Sequence, residues 1–150
     1  MEHYEELLAL AEEIATKAHS GQVDKAGVAY INHPKTVASY CTSIYAKIVG
    51  WLHDVIEDTD VTMDDLKQKG FDAFLLEALD CVTKPKTGYD EDVYYARIKN
   101  NDIAKEVKLA DLKHNSDMSR IPQNITPEER EKMIKKKKFY QTKIQYLKEE

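Results

Sequence analysis

One short apolar helix that carries four polar groups is the feature that most constrains this chain. Residues 48–58 read IVGWLHDVIED, with six hydrophobic side chains distributed around the helix axis. That distribution is typical of a buried helix. Four polar residues share its last six positions and form one compact patch: His53, Asp54, Glu57 and Asp58. Because burying carboxylates this close together is costly without compensation, a bound cation is the simplest partner.

Length and composition indicate a single helical domain. The 150 residues match the usual size of one domain, so residues 1–150 are expected to fold as a unit. With 42% hydrophobic and 33% charged residues but only five glycines and four prolines, all-α is the predicted class. Cys41 and Cys81 lie in apolar helical contexts without CxxC spacing, so both are predicted to be buried, unpaired thiols.

Charge and hydropathy exclude several partners and locations. The net charge of −5 predicts no general attraction to nucleic acid. A basic run at 132–140, KMIKKKKFY, lies within a helical pattern and is interpreted as a solvated helix face. No apolar run is long enough to span a membrane, and the first residues are acidic where a secretory signal is basic. A cytoplasmic protein without a membrane partner is therefore expected.

Apolar spacing of three and four predicts a series of helices, and no strand pattern appears. Pro34 is suited to the first turn of a helix and is expected to push His33 into an extended or capping conformation. Capping residues are predicted at Thr62 with Asp65, and at Thr126 before Pro127. The predicted helices cover residues 4–18, 34 onward, 45–58, 63–69, 71–83, 89–99, 102–116 and 127–147, with a loop at 20–32.

A second buried acid points to the same chemistry. Asp111 lies within VKLADLKHN, whose apolar residues mark a buried helix. If His33, His53, Asp54 and Asp111 converge, their two imidazoles and two carboxylates suit Mn²⁺, Fe²⁺ or Zn²⁺. The alternative is that each residue is a satisfied core group or a cap, and His3 and His19 are interpreted in that way, at the surface or end of the first helix.

Three ordered motifs resemble a known superfamily. The segments YINHP (30–34), LHDVIEDT (52–59) and VKLADLKHN (107–115) are similar to the HD phosphohydrolases. More narrowly, they resemble the hydrolase domain of the RelA/SpoT family and its small single-domain relatives, which remove pyrophosphate from the 3′ position of (p)ppGpp. The resemblance extends from about residue 4 to residue 121.

This resemblance implies a fold, a cofactor and a set of roles. The fold would be the all-α HD helical bundle, and the substrate a small nucleotide. Glu57 and Asp58 would be the catalytic acidic pair that orients or deprotonates the attacking water. Lys25 and Asn115 would contact the substrate nucleotide. The ligands of a divalent metal, usually Mn²⁺, would be His33, His53, Asp54 and Asp111.

The substrate is less well defined than the chemistry, because two positions depart from the family pattern. Asp24 and Asp117 stand where well-characterised (p)ppGpp hydrolases tend to have arginine, and fewer cations weaken phosphate binding. Tyr89 and Tyr94 could line the nucleotide pocket, as could Arg97, although the tyrosines equally suit core packing. Six cations are candidates to compensate: Lys84, Lys86, Arg97, Lys108, Lys113 and Arg120.

Two other functions therefore stay open. One is hydrolysis of another nucleotide, such as a nucleoside monophosphate or a phosphorylated dinucleotide, which would need fewer cations. The other is a metal-stabilised module that senses a nucleotide without cleaving it, although such a module has no need of Glu57 and Asp58. The sequence does not define the oligomeric state.

Overall fold

The computed structural model describes residues 2–117 and 124–149, and these residues form nine α-helices. No helix among them combines the length and the hydrophobicity needed to cross a membrane. In chain order the helices are α1 (Glu2–Ala18), α2 (Asn32–Tyr40), α3 (Ile44–Leu52), α4 (Val55–Asp58), α5 (Met63–Gln68), α6 (Ala73–Val82), α7 (Glu91–Lys99), α8 (Asp102–Asn115) and α9 (Pro127–Lys148).

The apolar helix α3 lies at the centre of the bundle. It packs against α1, α2, α6 and α8, while α9 lies along α8 and touches α7. Ile48 and Leu52 of α3 are buried with Leu75 of α6 and Leu112 of α8. From Ile48 to Leu52 every residue of α3 is buried, so packing against four helices removes the second half of this helix from water.

Several expectations from the sequence are confirmed. Thr62 and Asp65 exchange two hydrogen bonds as a capping box, and Thr126 accepts a hydrogen bond from the backbone of Glu129 with Pro127 at the helix start. Cys41 and Cys81 are buried and unpaired. The β pairing among the described residues is one isolated bridge between Val23 and Ala29, within the predicted loop.

The predicted helix over 45–58 is interrupted, which is a correction. It ends at Leu52, and a short helix resumes at Val55. Between them Asp54 adopts φ −105° and ψ −2°, away from helical values. The apolar periodicity continues across this turn, so the sequence pattern did not predict that the helix is interrupted.

The expected extended conformation of His33 is also wrong. The second helix begins at Asn32, and His33 lies within its first turn, where its backbone N–H donates to the carbonyl of Tyr30 at 2.9 Å. Pro34 is tolerated there because the first N–H groups of a helix have no partner within it. His33 is thus fixed by helical backbone at the entrance of α2.

A glycine sets the distance between α2 and α3. A Cβ atom at Gly50 would lie 3.2 Å from the Cα and 3.3 Å from the backbone nitrogen of Ala38. These contacts are too close to be met without a shift of backbone. Gly50 therefore allows α2 to pack closely on α3, near the end that leads to His53.

Candidate active site

Four polar side chains from three parts of the fold meet at one buried point. His33 comes from α2, His53 and Asp54 from the turn after α3, and Asp111 from α8. The Nε2 atom of His33 lies 2.8 Å from Oδ1 of Asp111, and the Nε2 atom of His53 lies 3.0 Å from Oδ2 of Asp54. The two Nε2 atoms are 3.3 Å apart. The convergence predicted from the sequence is thus present.

These groups have the composition and spacing of a metal centre. Ligand atoms of His33, His53 and Asp54 all lie within 4.8 Å of one another. Asp111 adds a carboxylate oxygen that contacts both imidazoles, at 2.8 Å and 3.3 Å. A set of two nitrogen and two oxygen donors fits a divalent cation such as Mn²⁺, Fe²⁺ or Zn²⁺.

Hydrogen bonds around the cluster orient both imidazoles. Nδ1 of His53 lies 2.7 Å from the carbonyl oxygen of Gly50, and since a carbonyl only accepts, this nitrogen carries the hydrogen. Its Nε2 atom therefore points into the cluster. Nδ1 of His33 lies 2.7 Å from Nδ1 of His114, whose ring stacks on it. When this His33 nitrogen is the donor, its Nε2 atom is also available to a cation.

Further side chains hold the two carboxylates. The hydroxyl of Tyr30 donates to Oδ2 of Asp54 at 2.5 Å. Lys108 contacts Oδ2 of Asp111 at 3.0 Å, and Asn115 donates to Oδ1 of Asp111 at 3.1 Å. Both acids are therefore fixed in position by partners outside the cluster.

Burial and charge act in opposite directions on the cluster. Burial raises the pKa of Asp111, but Lys108 and the two imidazoles lower it well below its ordinary value. Burial also raises the pKa of Asp54, but the charge of His53 and its hydrogen bond lower that pKa to about 2. Burial lowers the pKa of His53, yet the carboxylates of Asp54 and Asp111 raise it well above 6.5. The site thus favours positive charge between its two acids.

The two acids of the predicted catalytic pair differ in environment. Glu57 lines the cleft beside the cluster and accepts a hydrogen bond from the backbone N–H of Lys84. Burial raises the pKa of Glu57, and the nearby charges of Asp54 and Asp58 add to this effect. Burial and Asp54 also raise the pKa of Asp58, which is absent from the described lining of the cleft. Glu57 is thus the member of the pair that faces the cleft.

The cleft has a volume of about 210 Å³ and opens directly onto the cluster. Apart from Tyr30 and Glu57, the rest of its wall comes from helices α6 to α9 and the segment after α6. Cationic, amide and aromatic side chains predominate there: Lys84, Tyr94, Tyr95, Lys108, Asn115, Phe139 and Tyr140. This wall can accept an anionic ligand that carries an aromatic group.

Of the two residues predicted to contact the substrate, one lines the cleft and the other is not among the described lining residues. Asn115 lines the cleft, whereas Lys25 is exposed and is not among the described lining residues. Asp24 turns its carboxylate inward, where Oδ1 accepts from the backbone of Ala26 at 2.8 Å and of Val28 at 3.0 Å. Asp24 therefore shapes the loop that carries Lys25.

The cations expected to compensate for Asp24 and Asp117 lie in different places. Lys84 and Lys108 line the cleft. Arg97 pairs with Asp80 at 2.7 Å, and Lys113 lies over a tyrosine ring at 4.2 Å from its centre. Arg120 lies outside the described residues. Of the tyrosines proposed for the pocket, Tyr94 lines the cleft and Tyr89 does not.

Some residues of the site were missed by the sequence analysis. Lys108 was expected only as a candidate substrate cation, and its contact with Asp111 was not foreseen, nor was the role of His114. Both lie three residues from Asp111 on α8, a spacing that could have assigned them to the same helix face. Tyr30 carries no comparable signal, because its contact with Asp54 is non-local. His19 was expected at the surface or end of the first helix; it directly follows the end of α1, but it is only 1% exposed, and its ring centre lies 5.0 Å from that of Tyr30.

Comparison with known proteins relates this geometry to a family. The chain is 34% identical over 136 residues to guanosine-3′,5′-bis(diphosphate) 3′-pyrophosphohydrolase of Haemophilus influenzae, covering 81% of this chain and 20% of the relative. The protein of the same name from Borreliella burgdorferi is 36% identical over 130 residues, covering 75% of this chain and 19% of the relative. The predicted resemblance to the RelA/SpoT hydrolases is confirmed.

The chain spans about a fifth of the length of these curated relatives. No family model matches it. In structure it is similar to a protein described as a metazoan ortholog of SpoT that hydrolyses ppGpp, with a TM-score of 0.69 and 23% identity. That match covers 94% of this chain and 93% of the other. The expected all-α HD helical bundle is thereby confirmed.

Proposed function

We propose that this protein is a metal-dependent phosphohydrolase of the HD class that removes pyrophosphate from the 3′ position of (p)ppGpp. The convergence of His33, His53, Asp54 and Asp111 beside a cleft that contains Glu57 is the observation that carries the proposal. The sequence relatives named as 3′-pyrophosphohydrolases support the choice of substrate.

The four converging side chains are proposed as ligands of a divalent cation, with Mn²⁺ as the first choice. Their mixed nitrogen and oxygen atoms suit it, and the charge that their acids require supports a cation at this place. When bound, the cation lowers the pKa of water toward ~7 and offsets negative charge on the phosphate. Tyr30, Lys108 and His114 act by holding the ligands in place.

Glu57 is proposed as the general base. Its raised pKa gives the carboxylate more affinity for a proton than an ordinary surface acid has, and it faces the cleft. The water gives a proton to Glu57 as its oxygen forms a bond to the α phosphorus, the phosphorus bound to the 3′ oxygen. The bond between that phosphorus and the 3′ oxygen breaks, the 3′ oxygen takes a proton from solvent to become a free hydroxyl, and pyrophosphate is released with the oxygen of the water. Asp58 is proposed to support Glu57 from outside the cleft.

A second candidate is hydrolysis of a nucleotide with fewer phosphates. Asp24 favours this candidate. Its carboxylate accepts hydrogen bonds from the backbone of the loop that carries Lys25, and position 24 therefore offers no arginine to bind a phosphate. A nucleoside monophosphate or a phosphorylated dinucleotide would be the substrate. The single-domain organisation and the cytoplasmic location stay predictions from the sequence.

Pyrophosphate release from ppGpp by Mn²⁺-loaded protein tests the main proposal. We expect turnover by the natural protein and by D60N, which alters an exposed acid, but not by D54A or E57Q. A folded, Mn²⁺-loaded sample that releases nothing from ppGpp would refute this substrate. Phosphate release from a panel of other nucleotides then separates the second candidate from a sensing module, which would turn over none.

A further inference from the structure

One face of the last helix combines cations with aromatic rings. Lys136, Phe139, Tyr140 and Lys143 fall at spacings of three, four and seven residues, so their side chains project from the same side of α9. The first three of these residues belong to the basic run at 132–140, which the sequence alone presents as a solvated surface. The spacing instead defines a mixed cationic and aromatic stripe.

That stripe is turned toward the cleft. Phe139 and Tyr140 both line it, although Phe139 is still 38% exposed. The Nζ atom of Lys143 lies 4.7 Å from the ring centre of Tyr95, another cleft residue, and 5.5 Å from that of Phe139. The face of α9 that begins with Lys136 is therefore part of the wall and rim of the cleft.

Lys136 lies close to a second lysine from another part of the fold. The neighbouring ammonium group of Lys25 is the main cause that lowers the pKa of Lys136, and burial and Lys132 add to the effect. Lys25 belongs to the loop before α2, so this loop and α9 meet at a pair of like charges. Such a pair repels itself, and an anion between the two ammonium groups would offset that repulsion.

The size of the cleft leaves part of a nucleotide outside it. Pockets that enclose drug-sized ligands usually have volumes of roughly 300–1,000 Å³. At about 210 Å³ the cleft is smaller, so a nucleotide with two diphosphate groups must extend past its mouth. The rim residues then decide what holds the protruding phosphates.

We propose that Lys136 of α9 is a substrate-binding residue, which together with Lys25 holds a phosphate group of the nucleotide at the rim of the cleft. This inference rests on the proposed function for the identity of the nucleotide. In this arrangement α9 supplies the second cation that the loop lacks, since position 24 is an aspartate whose carboxylate accepts hydrogen bonds from the loop's own backbone. Two ammonium donors on one phosphate are a charge-assisted contact of the kind that dominates phosphate recognition.

The first test measures binding without catalysis. Inorganic pyrophosphate is titrated into the full chain in a calorimeter, with a chelator present and at low ionic strength. The variants are K136Q and K138Q, which remove the same charge from the same helix. Lys138 lies about 200° around the axis from Lys136 and faces away from the cleft. We expect K136Q to weaken pyrophosphate binding about tenfold and K138Q to leave it within a factor of two.

A second variant tests whether Lys25 and Lys136 act on one group. If both contact the same phosphate, the loss in K25Q/K136Q is smaller than the product of the two single losses, because either variant already disrupts the shared contact. Independent, multiplicative losses would place them on different groups. That result would overturn the inference. So would equal effects of K136Q and K138Q, or a natural protein that does not bind pyrophosphate.

The kinetic test separates this inference from the proposed function. With ppGpp and Mn²⁺, K136Q should raise KM about tenfold and change kcat by less than a factor of two, since Lys136 is not among the described residues that line the cleft beside Glu57. Absence of all ppGpp turnover would refute the proposed substrate, while the pyrophosphate titration would still decide the role of Lys136. An unchanged KM in an active K136Q enzyme would overturn the role of Lys136 alone.

Discussion

The hydroxyl of Tyr30 donates a 2.5 Å hydrogen bond to Oδ2 of Asp54, the same oxygen that lies 3.0 Å from Nε2 of His53. Tyr30 belongs to the loop before α2, whereas Asp54 lies in the turn after α3. This bond therefore fixes the orientation of a proposed metal ligand from a different part of the chain. Burial and Asp54 raise the pKa of Tyr30, so its hydroxyl keeps the proton that it donates.

Replacing Tyr30 by Phe should weaken Mn²⁺ binding by roughly tenfold to 100-fold, the usual cost of losing a hydrogen bond to a metal ligand. The matched control is Y4F. Tyr4 donates an equivalent 2.5 Å bond to Asp72 on a distant part of the surface. Calorimetric titration of Mn²⁺ into the two variants checks the prediction, and equal affinities for Y30F and Y4F would contradict it.

Gly50→Ala should destabilise the protein and weaken Mn²⁺ binding together. Alanine normally stabilises a helix interior relative to glycine by roughly 0.5–1 kcal/mol, but here its methyl group would meet the backbone of Ala38. Relieving that contact moves α2 and so displaces His33. We expect a net loss of about 1–3 kcal/mol in the free energy of unfolding, measured by urea denaturation. A more stable G50A variant with unchanged Mn²⁺ affinity would show that the close approach does not matter.

The proposed hydrolytic activity should depend on pH through Glu57. Because its pKa is raised, the carboxylate gains a proton at a higher pH than an ordinary glutamate does, and the base is lost below that pH. The rate should therefore rise with pH through the raised pKa and then level off. E57Q should lower kcat by about 100-fold or more and remove this rise, whereas E5Q, on the exposed face of α1, should keep it. A kcat profile from pH 4 to 8 at saturating Mn²⁺ is the measurement.

Stability at low pH should depend on Glu106. Its carboxylate accepts hydrogen bonds from the backbone of Thr42 at 2.5 Å and from Oγ of Ser43 at 3.0 Å, which ties α8 to the start of α3. Burial raises the pKa of Glu106, but these donors lower it by more. The net result is a folded-state pKa below the ordinary value of 4.5. Since the folded pKa is below the unfolded one, the stabilisation is present above pH 4.5 and is lost as pH falls through the folded value.

E106Q should therefore cost about 1 kcal/mol at pH 7, and less at pH 3, after allowance for solvent screening of this half-buried group. E12Q, an exposed acid of α1, is the control and should cost little at either pH. Urea denaturation at the two pH values measures both. A cost for E106Q that is the same at pH 7 and pH 3 would exclude the charge of Glu106 as its cause.

The sequence pointed to the convergence of His33, His53, Asp54 and Asp111 because acids and histidines among apolar helical residues are rare. It could not predict the turn at Asp54, since apolar periodicity runs unbroken through residues 48–58. The places of Tyr30 and Phe139 in the site could not be predicted from the sequence for another reason. Both join the site through contacts between residues distant in sequence, and the charges around α9 conceal which of its faces is turned inward.

The wall formed by α9 has a consequence for the order in which the site is made. During synthesis the last of the four converging side chains, Asp111, precedes Phe139 and Tyr140, and α9 is fixed near its end by the buried Leu147. A nascent chain therefore possesses all four proposed metal ligands before it possesses the complete cleft. Under the proposed function, the capacity to hold a metal ion arises first, and selectivity among nucleotides is added only when the final helix docks.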